Sequence, residues 1–305
     1  MSTLSVYSLP LSEPLPPAVA EDSRFRLHAW TPARRAVAML AQAVALGSLL
    51  FFIGWLVKDI LAGEQTLTPE PLVLGLLAGV GGPLLLVAVL RFLARATLEV
   101  GATDVTLILR TRAMMEIPFH TVASVRPWRL PLPGPGLVLR LTSGRELDYG
   151  LEAEDAVPLL EVLRRHEATL GDAASHPVLR YGQARKALWR KRWYHLLLKL
   201  VVFPLVPAGI FFRAHQYIAF GGAFGEYHLL GLEAYLRTFG RYYAPVALSL
   251  LLIACLWRGV AELVSLAAAW AAPSWTRGVR RSVEWLGRLI YYVGILTFTA
   301  MRFLA

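Results

Sequence analysis

Apolar residues along this chain fall into two patterns: long unbroken blocks, and short alternating runs. The first block, Ala36 to Leu61, reads AVAMLAQAVALGSLLFFIGWLVKDIL, and a second runs from Leu72 to Leu93. Each is long enough for a helix to cross about 30 Å of hydrocarbon. Between Ala96 and Leu170 the character changes. ATLEV, VTLILRT, MEIPFHTVASVRPW, GLVLRLT and RELDYG are short and β-branched, and GATD, RAM, PLPGPG and TSGR punctuate them as turns. EDAVPLLEVLRRHEATL follows, with Asp155 placed to cap a helix, Pro158 in its first turn, and Val157, Leu159, Leu160 and Leu163 on an apolar face. Strands closed by one amphipathic helix predict a small α+β module. Apolar blocks return at Tyr194 to Phe212, Tyr242 to Leu263 and Val283 to Ala305, the last of them short.

The predicted fold class is therefore a multi-pass α-helical membrane protein of about five spans with an inserted small α+β domain. Its expected organisation is a disordered cytoplasmic tail over 1–33, a transmembrane hairpin over 34–95, the inserted domain over 96–170, a basic linker over 171–193, and a three-span domain over 194–305. Pro83, Pro204 and Pro207 are expected to bend their spans. Gly75, Gly79 and Gly82 form one small-residue stripe that lets a neighbouring helix approach.

Composition strengthens the membrane reading. The 305 residues are 56% hydrophobic and only 17% charged, with a mean hydropathy of +0.51, whereas soluble domains carry about a quarter charged residues. The net charge of +10 is placed beside the spans. Arg24, Arg26, Arg34 and Arg35 precede the first span, and the loop after it holds Glu64 and Glu70 without a basic residue. The positive-inside rule then sets the N-terminus and the inserted domain in the cytoplasm and the C-terminus in the periplasm. Nothing in the first 30 residues has the form of a signal peptide, and no nucleic-acid-binding motif accompanies the charge.

The order of the alternating segments resembles the bacterial PH-like domains that sit beside transmembrane hairpins in small membrane proteins. The resemblance rests on a strand leaving the second span, VTLILRT, IPFHTVASV, the hairpin LRLTSGREL and the final helix, and it covers residues 96–170. It implies a bacterial inner-membrane protein with an assembly, scaffolding or lipid-proximal role, and it supplies no catalytic residue.

Candidate chemistry is sparse. The stretch RYGQARKALWRKRWYH carries Arg185, Lys186, Arg190, Lys191 and Arg192 among tryptophans, and reads either as a helix on anionic lipid or as a plain inner anchor for the next span. Arg258 and Glu262 stand one turn apart near the inner end of the fourth span and are expected to pair. Cys255 lies in apolar company and reads as a small packing residue. No serine-hydrolase, zinc-protease or nucleotide-loop motif is present, and neither a cofactor nor a metal is expected.

The richest segment is FFRAHQYIAFGGAFGEYHLLGLEAYLRTFGR, between the third and fourth spans. Read as an outer amphipathic helix near 223–239, it puts Glu226, Glu233 and Arg237 within roughly 40° of one another, with His228 turned away. Glu233 would pair with Arg237. Glu226, joined by His215, would either face water or act as a proton acceptor or cation ligand in a cavity. Two functions remain. One is an inner-membrane scaffold, assembly or regulatory protein whose PH-like domain binds a protein partner or anionic lipid. The other is a membrane enzyme or transporter acting on a lipid or lipid-linked substrate at the outer face.

Overall fold

A computed structural model describes residues 23–304 apart from 64–65, 67, 167–172, 174 and 189–192. Among the described residues, four helices are long and apolar enough to cross a membrane: α1 (Pro32–Ala62), α2 (Pro69–Leu93), α5 (Tyr194–Phe220) and α6 (Gly225–Ala271). A further helix, α7 (276–304), is continuous but carries Arg277, Arg280, Arg281, Glu284 and Arg288 in its first half and is not among the four. Thr31 caps α1 by accepting from the Arg34 N–H ahead of Pro32. The proline bends take a specific form. π-helical turns at Leu77–Gly81 and Leu198–Val202 each end two residues before a proline, Pro83 and Pro204, whose missing N–H groups cannot continue a regular ladder.

The helices pack through small residues and leucines. A Cβ on Gly75 would lie within 3 Å of the Phe52 ring and one on Gly79 would strike the Ser48 side chain, so both positions let α1 and α2 close. Gly82 takes no part in this crossing: its Cβ would meet only the Leu77 carbonyl. Ile53, Leu72 and Leu252 then join the hairpin to α6, and α5 packs along α6.

The remaining chain forms a curled, antiparallel, seven-stranded sheet in the order β4-β3-β2-β1-β7-β6-β5. Its strands are β1 (Ser23–Trp30), β2 (Arg95–Val100), β3 (Asp104–Leu109), β4 (Met114–Pro118), β5 (Val122–Pro127), β6 (Gly136–Leu141) and β7 (Gly150–Glu152). The two edge strands, β4 and β5, are joined by the three-residue turn Phe119–Thr121, so the sheet must curl until its edges approach. Helix α3 (Val157–His166) covers one face, placing Leu159, Leu160 and Leu163 against Leu27, Leu98, Leu107, Leu137 and Leu151. Helix α4 (Pro177–Leu188) follows and buries Val178, Leu179, Tyr181 and Ala184.

Three further sequence expectations change. Residues 23–30 are not part of a disordered tail: they form the central strand of the sheet, paired with β2 on one side and β7 on the other. The α+β unit is thus built from both sides of the first two spans, because Phe25, Leu27 and Ala29 alternate with Arg24, Arg26 and His28 and complete the core face. The basic linker does not lie free on its surface, since α4 buries an apolar side against α6 and α7. The segment near 223–239 is not a separate outer helix. It begins at Gly225, breaks at Gly231 (φ 84°, ψ 176°) and runs on into α6.

Candidate functional site

The polar segment between α5 and α6 resolves into two unrelated arrangements. Glu233 and Arg237 form the expected ion pair at 2.5 Å, fully on the surface. Glu226 lies before the Gly231 break, so the wheel that aligned it with them does not exist. It is buried, and both carboxylate oxygens are engaged: Gln216 Nε2 donates to Oε2 and Thr238 Oγ1 donates to Oε1 at 2.6 Å. The Glu226 N–H donates in turn to Gln216 Oε1. These bonds tie the end of α5 to the helix on both sides of its break. His215 packs its ring on Tyr242 and Phe220, and His228 is exposed. Gln216 and Thr238 were invisible in the sequence, because nothing local marks an amide or a hydroxyl that will meet a carboxylate ten or more residues away.

A second polar cluster lies at the other end of α6. Arg258 pairs with Glu262 as expected, but Glu262 also receives both Nη groups of Arg280, at 2.9 and 3.0 Å, and the Tyr181 hydroxyl at 2.6 Å. Glu284 lies 3.4 Å from Arg280 and 3.5 Å from Arg258. This network joins α4, α6 and α7. Burial, followed by the Glu262 carboxylate, pushes the Tyr181 hydroxyl up to about 12, so it remains a donor.

A third cluster fixes the sheet onto the first two helices. Glu152 is buried and accepts from Trp30 Nε1 at 2.6 Å and from Arg91 Nη2 at 2.7 Å. Arg91 reaches on to the Pro133 carbonyl, which also accepts from Gln42. Arg35 lies 3.7 Å over the Trp128 ring and donates to the Leu132 carbonyl. The proline-rich loop before β6 is therefore clasped by side chains of α1 and α2. Gly134 is required there, since a Cβ would fall 2.0 Å from Glu152 Oε1.

A groove of about 1050 Å³ lies on the open face of the sheet, where α2 enters β2. The strand register explains its lining. Arg24, Arg26 and His28 point outward from β1, and Arg26 faces Thr97 while His28 faces Arg95. Arg95 and Arg110 both lie over the ring of Phe92, at 4.8 and 3.7 Å, and Arg110 also donates to the Phe92 carbonyl. The opposite wall carries Glu154, Asp155 and Lys186. Of the basic residues singled out in the sequence, Lys186 thus reaches the groove and Arg185 is half-buried, while Arg190, Lys191 and Arg192 fall outside the described residues.

Burial holds the His28 imidazole below its ordinary value of 6.5; Glu152 opposes this, Arg91 and Arg95 reinforce it, and Glu154 opposes it weakly. The folded state therefore favours the neutral ring. Its contribution to stability is complete above pH 6.5 and is lost as pH falls from there through the lower folded value. Thermal unfolding followed from about pH 7.5 to 5 should show an acid-side loss that is smaller in His28→Gln.

No group of three or more His, Cys, Asp or Glu side chains among the described residues is arranged to hold a metal ion. Compared with protein-family models, curated proteins and solved structures, the chain matches none.

Proposed function

We propose that this chain is an integral inner-membrane scaffold or regulatory protein of a bacterium, with a PH-like sheet domain that works at the anionic lipid surface of the cytoplasmic side. In this reading α7 is a fifth crossing and the C-terminus is periplasmic. The observation that carries the reading is the cationic open face of the sheet at the foot of α2, where Arg26, Arg95 and Arg110 surround the groove. The clasp around Glu152 and Pro133 supports it, because a sheet tied to α2 through Arg91 and to α1 through Gln42 keeps that face at a fixed height beside the bilayer. Basic side chains near an anionic surface contribute on the order of 1 kcal/mol each. A protein partner on the same domain is compatible with this role. The enzyme reading gains no comparable support, since the carboxylate it relied on is occupied by Gln216 and Thr238.

The test is lipid-dependent stability of the purified full-length protein in neutral detergent. Phosphatidylglycerol should raise its melting temperature and phosphatidylcholine should not, because a ligand that binds only the folded state stabilises it by an amount that grows with the logarithm of its free concentration over Kd. Equal responses to the two lipids would remove the basis for the proposal.

A further inference from the structure

The groove has a feature beyond general attraction to a charged surface. Continuing the Ala96↔Leu109 register by one residue sets Arg95 opposite Arg110, with Arg26 and His28 on the next strand. Like charges directly opposite on neighbouring strands destabilise a sheet. Arg24 in the same groove is relieved by Glu99 at 2.9 Å. Among the described residues no carboxylate lies within ion-pair distance of Arg26, Arg95 or Arg110. The Phe92 ring and carbonyl instead fix the two opposed guanidiniums in place, which leaves their donor edges available as a preorganised fork.

The acids nearby are largely committed elsewhere. Glu152 is used by Trp30 and Arg91, and Asp155 accepts from the Val157 N–H and faces Lys186 at 3.9 Å. Glu154 is exposed on the far wall, so an anion is favoured at the arginine end. Phe92 is the penultimate residue of α2 and is 45% exposed. The end of a spanning helix lies at headgroup depth, so a phosphate there could be reached without a lipid leaving its leaflet.

We infer that Arg95 and Arg110, with Arg26, form a discrete site for the phosphate of one net-anionic membrane lipid. This rests on the proposed lipid-surface role and narrows it from a charged face to a single site. Guanidinium–phosphate contacts are charge-assisted and frequently bidentate, and removing each should weaken binding about tenfold.

The experiment is native mass spectrometry of the full-length detergent-solubilised protein titrated with phosphatidylglycerol, with inorganic phosphate as competitor. Wild type should retain one tightly held lipid per chain, and millimolar phosphate should not displace it. R95Q/R110Q should lose that lipid, with an affinity about a hundredfold lower. R95K/R110K, which keeps the charge but not the fork, should fall between them. R277Q/R281Q removes two exposed cations outside the groove and should bind as wild type does. Equal retention by wild type, R95Q/R110Q and R95K/R110K would overturn the site. If phosphatidylglycerol still raised the melting temperature, the broader reading would survive that result. Displacement by inorganic phosphate would overturn the assignment of the ligand as a lipid.

Discussion

Gly287→Ala is expected to be the most damaging single methyl addition in the helical part of the protein. A Cβ at this position would fall 1.5 Å from Trp257 Nε1 and 1.6 Å from Trp257 Cδ1. Real side chains do not approach so closely, so α6 and α7 must separate or the indole must leave its rotamer. The indole is not free to leave without loss, because its N–H donates to the Val283 carbonyl one turn earlier on α7. Overpacking of this kind costs on the order of 3 kcal/mol. The expected result is a lower melting temperature and less monodisperse protein after extraction. A smaller residue opposite should restore room, so Trp257→Leu combined with Gly287→Ala should be more stable than Gly287→Ala alone. If the single variant melts as wild type does, the close crossing of α6 and α7 is wrong.

The second large effect concerns Glu262. Its carboxylate is the common acceptor for Arg258, Arg280 and Tyr181, and the Arg280 side chain is completely buried. Glu262→Ala leaves that guanidinium with only the longer contact to Glu284. Breaking a buried pair by removing one partner costs about 3–5 kcal/mol, mostly as the penalty of an uncompensated charge. Arg280→Met should cost less, because Glu262 then keeps Arg258 and the Tyr181 hydroxyl. The order of the two variants distinguishes this account from one in which only side-chain volume matters. The damage should also be directional. The network is the polar tie between α4 and the two helices beneath it, so limited proteolysis should cut near 176–188 sooner in Glu262→Ala than in wild type.

These two sites illustrate different depths of legibility. Arg258 and Glu262 are one turn apart, and the pair follows from helical spacing alone. Arg280, Glu284 and Tyr181 belong to other helices, and no periodicity within α6 points to them. Glu233 and Arg237 were equally readable, again as near neighbours on one helix. Glu226 was misplaced for a backbone reason. A wheel assumes continuous helix, and Gly231, with its positive φ, breaks the helix between Glu226 and its supposed companions.

The inserted domain has a similar division. Short β-branched runs and turn residues marked β2, β3 and β6; β4 and β5 fall together in the single run MEIPFHTVASVRPW, and the apolar face of α3 was explicit. The central strand was missed because Ser23–Trp30 follows a proline-rich segment and precedes a span, so its alternation was overshadowed by its surroundings. Its partners, β2 and β7, lie beyond the two apolar helices in the chain. The cationic groove was missed with it, since Arg26, Arg95 and Arg110 come together only when β1, β2 and β3 lie side by side.

The sequence by itself determined the apolar cores of the four long helices, the presence of a strand-rich unit, and the close pairs within single helices. Those properties are local: burial demand is set by composition over about twenty residues, and a pairing at i, i+4 needs only one helix. The tertiary structure alone decided that residues 23–30 complete the sheet, that Glu152 locks it to α2, that Gln216 and Thr238 enclose Glu226, and that three arginines from three strands share one groove. Each of these depends on strand register or helix crossing, which are set by packing between segments far apart in the chain.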